Sequence, residues 1–110
     1  MNWEISYYSS NIENEILALS SELLARYLRL TDMMLIHGSN LGLPHTKSLN
    51  NGLFELRLKS KEGIARVFYC TMIGKKIVML HSFTKKSQKI PRKELQLAEG
   101  RLKEVKENDT

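Results

Sequence analysis

Cysteine is nearly absent from this chain. Cys70 stands alone, so no internal disulfide can form, and a small secreted domain stapled by disulfides is excluded. Uninterrupted apolar runs are only a few residues long, far short of the roughly 20 that a membrane-crossing helix needs. Short chemical motifs are missing as well: there is no Walker loop, no dinucleotide fingerprint, no CxxC and no HExxH. The three His are scattered and carboxylates are scarce in the middle of the chain, so neither a metal nor a cofactor is expected. Aromatic residues make up 7% of the chain, too few for a platform that stacks single-stranded bases. Met1 runs straight into a strand-like segment with no basic and then apolar leader, so a cytoplasmic protein is expected.

What remains is an ordinary globular composition, 42% hydrophobic and 26% charged, in a length that suits one domain over residues 1–110. The charge is unevenly placed. Residues 47–93 carry twelve Lys and Arg against Glu55 and Glu62 alone, a balance of +10, while the segments before and after carry −3 and −2. A single-sign field confined to one part of a domain points to a polyanionic partner.

That basic region reads as three strands, Leu53–Lys59, Ile64–Met72 and Lys76–Phe83, separated by the short breaks Lys61–Gly63 and Ile73–Lys75. Breaks this short force an antiparallel meander. Trp3–Tyr8 alternates as a further strand. Ser10 and Glu13 fit a capping box, and Ile12, Ile16, Leu19, Leu23, Tyr27 and Leu30 form one apolar stripe, predicting a long helix over Ser10–Leu30. Thr31-Asp32 is a second candidate cap for a short helix, Met33–His37, that Gly38 ends. Leu41–Asn51 reads as a loop. Pro91 suits the start of a last helix to Val105, with Leu95, Ala98, Leu102 and Val105 as its stripe. The expected fold is α+β, in the order β-α-α-β-β-β-α, with helices on a mainly antiparallel sheet.

Charges sit oddly within these hydrophobic strands. Arg57 shares a strand face with Glu55 and Lys59, where a cross-strand ion pair is the plain reading. Arg66 alternates in a strand that is apolar on both faces. A buried Arg is normally paired, and with acids scarce an external phosphate is the expected partner. Arg66→Ala is accordingly expected to leave the melting temperature within a few degrees. His81 shares its parity with Ile77, Met79 and Phe83, and both a core role and proton transfer are open to it. Lys85, Lys86 and Lys89, with Arg92 just beyond, form a basic exit from the last strand, either a soluble turn or a phosphate-binding one. Tyr69 is open to base stacking, proton donation or the core.

Taken together, GLFELRLKSKEGIARVFYC and IVMLHSFTKKSQKIPRKELQLAEGRLKEV resemble the RelE/ParE superfamily of toxins from type II toxin–antitoxin modules, above all its HigB-like, phage-associated branch. The likeness covers residues 52–105 in detail. It implies a RelE-like fold and a metal-independent endoribonuclease that cuts messenger RNA (mRNA) on the ribosome, neutralised by a helix-turn-helix antitoxin. By motif, the catalytic group it implies is Arg57, Arg66, His81, Lys85 and Lys86. Lys59, Tyr69, Lys89 and Arg92 are expected as further RNA contacts. Ile90 stands before Pro91 where relatives often have a capping Thr, which leaves the start of the last helix open. Two other readings stand beside the nuclease. One is a protein-binding toxin of the gyrase-inhibiting type, and the other is a nucleic-acid-binding module without catalysis.

Overall fold

The predicted meander is present, and it carries one more strand than expected. The computed structural model describes residues 2–85 and 89–109. Among these, the elements run β1 (Glu4–Tyr7), α1 (Ser10–Leu17), α2 (Ser21–His37), β2 (Thr46–Ser48), β3 (Phe54–Ser60), β4 (Gly63–Met72), β5 (Lys76–Lys85) and α3 (Arg92–Glu107). They form one sheet in the order β1-β5-β4-β3-β2, antiparallel throughout except for the parallel β1–β5 pair. This is an α+β architecture consistent with a RelE-like fold. Among the described helices, none is long and apolar enough to cross a membrane.

Three local expectations are corrected. The long first helix is two helices, broken over Ala18–Ser20. The apolar stripe runs unbroken through the elbow, because α1 packs on β5 and α2 on β3 while feeding the same core. The first cap is Ser9, whose Oγ accepts from the Ile12 amide at 3.3 Å, not Ser10. Thr31 does not open a new helix. It lies inside α2, where its hydroxyl donates back to the Tyr27 carbonyl at 2.9 Å. Gly38 does end α2, at φ +103, with its N–H on Met34 O at 2.9 Å. Within the expected loop, Thr46–Ser48 pairs with Phe54–Leu56 as β2.

The sheet separates two cores. On one face α1 and α2 cover Leu56, Leu58, Ala65, Val67, Tyr69, Ile77 and Met79. On the other, Ala98 and Leu102 of α3 cover Phe68, Cys70, Val78 and Leu80. α3 packs on β4 and β5. Burial pushes the Cys70 thiol pKa up, which suits an inert core position.

A β-bulge decides which side chains share the α3 face. Phe68 pairs with His81, but Tyr69 pairs with Met79, so Leu80 is the extra residue in β5. The parity read along β5 therefore breaks at Leu80. His81 and Phe83 do not continue the Ile77–Met79 face; they stand opposite Phe68 and Arg66.

Candidate functional site

Cross-strand pairing assembles the basic residues into neighbouring rows. Arg57 on β3 faces Arg66 on β4, which in turn faces Phe83 on β5. One step toward the hairpin turn, Lys59 faces Ile64, and Ile64 faces Lys85. One step the other way, Glu55 faces Phe68, and Phe68 faces His81. Because Arg57 and Arg66 alternate with core residues Leu56, Leu58, Ala65 and Val67, both stand on the face opposite α1 and α2.

Glu55 holds the two guanidiniums in place. It is 3% exposed, and one carboxylate oxygen lies 2.8 Å from Arg66 Nε and 3.6 Å from Arg57 Nε. The Arg66 Nε–H does not point along the short vector, so this contact is an ion pair and not an aligned hydrogen bond. Arg66 Nη1 also donates to the Ala65 carbonyl at 3.0 Å. The missing partner expected for Arg66 is thus supplied by the protein. Burial lowers the Arg66 pKa, Glu55 opposes that shift, and the Arg57 charge adds to it. Lys85 is also lowered, first by burial and then by the charge of Arg66, with Glu55 acting in the opposite sense.

His81 is placed differently from this group. It is 8% exposed, and α3 engages both ring nitrogens. Arg101 Nη1 lies 3.3 Å from Nδ1, and Glu94 Oε2 lies 2.5 Å from Nε2. Arginine only donates, so Nδ1 is the acceptor and Nε2 the donor toward Glu94. Arg101 also donates to Leu80 O at 2.8 Å, so His81 is the centre of a clamp between β5 and α3.

Tyr69 is a correction to the expected RNA contacts. It is fully buried in the α1–α2 core, stacked on Phe54 with centroids 5.3 Å apart, and its hydroxyl donates to Ser39 O at 2.5 Å. Burial pushes its pKa up, and no base can reach it. Lys59 and Arg92 are exposed; Lys89 is exposed too and lines a hollow beside Lys85. Lys86 lies outside the described residues. Among the described residues, no three His, Cys, Asp or Glu come together to hold a metal ion.

A cleft of about 480 Å³ opens beside the paired arginines, bounded by Arg57, Lys59, Ile64 and Arg66. A family model described as "Phage derived protein Gp49-like (DUF891)" matches residues 14–103, the greater part of the chain. The chain belongs to the Gp49-like family. This is a RelE/ParE-like toxin family, associated with the toxins of toxin–antitoxin systems, and it suggests an antitoxin as partner. No curated protein matches the sequence.

In this Gp49-like chain, the far wall of the cleft comes from Arg26 of α2 and from Pro44 and His45 ahead of β2. Sequence reasoning passed over these residues. Arg26 lies on the polar side of an amphipathic helix and His45 in an expected loop, and neither carries a local signal. Glu94 and Arg101 were missed for the same reason, since each reads as an ordinary charge on the outer face of a helix.

Proposed function

We propose that this chain is a toxin that cleaves mRNA on the translating ribosome, in the cytoplasm, and is neutralised by a cognate helix-turn-helix antitoxin. The observation that carries this reading is the facing pair Arg57 and Arg66 with one shared carboxylate. The pair and Glu55 keep a net positive charge at a half-open site, next to Lys59 and Lys85. Such a site suits the oxyanion of a phosphodiester, because guanidinium forks match its geometry and charge.

In the proposed reaction the ribose 2′-oxygen attacks the neighbouring phosphorus and the bond to the 5′-oxygen breaks. A 2′,3′-cyclic phosphate and a free 5′-hydroxyl result. Arg57 and Arg66 stabilise the charge that builds on the phosphoryl oxygens. The Lys85 ammonium, made more acidic by its surroundings, gives a proton to the departing 5′-oxygen. The 2′-hydroxyl proton passes to water or to a group of the decoding site. Neither His81, clamped at both nitrogens, nor buried Tyr69 is needed. The ribosome supplies the in-line geometry, a contribution that can be worth several kcal/mol.

The test is to induce the chain in growing cells and map new RNA 5′ ends. Cuts confined to translated messages, absent with Arg57→Gln, are the expected result. Intact messages together with DNA breaks would transfer the chain to the gyrase-inhibiting class. Purified protein that cuts naked RNA rapidly would remove the ribosome from the mechanism.

A further inference from the structure

The cleft beside the arginine pair extends past the sheet. β2 pairs only with Phe54–Leu56, so beyond Arg57 the edge of β3 has no strand beside it among the described residues. Arg26 and His45 close the gap. His45 is fixed there by its main chain, whose carbonyl accepts from the Arg57 amide at 2.8 Å and whose amide donates to Gly42 O at 3.0 Å. Helix α2 is tied to the same end of the sheet by the Glu62 carboxylate, which accepts the first-turn amide of Glu22 at 3.2 Å. Among the described residues, those bounding the cleft include no carboxylate. Cations ring it, while Pro44, Ile64 and the His45 imidazole provide apolar and aromatic surface. Its volume, about 480 Å³, is that of a small-ligand site.

We infer that this cleft is a nucleotide subsite next to the phosphate held by Arg57 and Arg66. Lys59 and Arg26 take the following phosphate, and the base lies against His45 and Pro44. The inference rests on the reading of this sheet face as RNA-binding. Arg57 and Lys59 are two residues apart on one strand face, a step of about 7 Å, which matches a strand backbone running along β3. Unstacked RNA bases are commonly held on His rings and apolar surface, while Arg and Lys hold the backbone. An acidic peptide could satisfy the cations but has no use for the imidazole and apolar walls.

The probe is a set of 2′-O-methyl oligoribonucleotides of two, three and four residues, which lack the attacking hydroxyl and stay intact. Their affinity for the full chain is measured at low salt by fluorescence anisotropy. The nucleotide that enters the cleft should raise affinity about fivefold or more. That step should vanish in Arg26→Gln and in His45→Ala, with melting unchanged, and the salt slope of Arg26→Gln should fall by about 0.7. Arg29→Gln, on the same helix but bounding a neighbouring hollow, should keep the step. If Arg57→Gln abolishes binding while Arg26→Gln and His45→Ala retain the step, the subsite is refuted and the RNA-binding sheet stands. If the wild-type chain binds none of the oligonucleotides, the RNA-binding reading falls with it. A polyglutamate peptide that binds as tightly as the RNA, and loses that affinity with Arg26→Gln, would reassign the cleft to an acidic protein partner.

Discussion

Arg57 and Arg66 face each other across β3 and β4, and a single oxygen of Glu55 reaches the Nε of both, at 3.6 and 2.8 Å. Like charges directly opposite on a sheet repel, so the arrangement depends on that carboxylate. Glu55→Gln should therefore cost about 3 kcal/mol, as when one partner is removed from a buried ion pair. Urea unfolding measures it, and a loss under about 1 kcal/mol would mean that solvent already screens the pair.

Burial reverses the sequence-based expectation for Arg66→Ala. Arg66 is 3% exposed and its loss leaves Glu55, equally buried, without its nearest cation. The melting temperature should fall well beyond a few degrees, so relief of growth arrest in this variant would not separate chemistry from folding.

Arg57 is the cleaner probe. Its side chain is 31% exposed and its contact with Glu55 is the longer one. Arg57→Gln should keep stability within about 1 kcal/mol and slow ribosome-dependent cleavage by roughly 10²-fold or more. Cleavage at the wild-type rate would remove Arg57 from the site.

The lowered Lys85 pKa predicts a pH profile. Burial and the Arg66 charge favour the neutral amine, so Lys85 releases its proton at a lower pH than an exposed lysine. Cleavage that depends on the ammonium should fade early as pH rises, and Lys85→Arg should carry the alkaline limb higher. Single-turnover rates between about pH 7 and 10 test this, since an exposed lysine titrates near 10.4. Superimposable profiles would exclude Lys85 as the proton source.

His81→Ala should act through α3. With Glu94 and Arg101 both losing their shared partner, α3 should exchange its amide hydrogens faster and stability should drop by about 1–2 kcal/mol. The pH dependence of cleavage should keep its shape. A lost titration limb with α3 still protected would restore His81 to proton transfer.

Much of this fold was legible because its signals are local. Strand alternation at β3, β4 and β5, the apolar stripes of the helices and the Gly38 stop all follow from side chains a few residues apart. The concentration of positive charge within residues 47–93 was equally plain. Tertiary structure decided the rest. The three residues of β2 carry no pattern of their own and exist only through pairing with β3. The elbow at Ala18–Ser20 answers to two different strands beneath one continuous stripe. Glu55 becomes the partner of Arg66 only once β3 and β4 are in register, which no count of nearby acids along the chain reveals. The bulge at Leu80 turns His81 away from its apparent face and into the grip of Glu94 and Arg101, thirteen and twenty residues further on. Periodicity reports the geometry of one strand, whereas the face that a charge occupies, and what neutralises it there, depend on hydrogen-bond register between strands far apart in sequence.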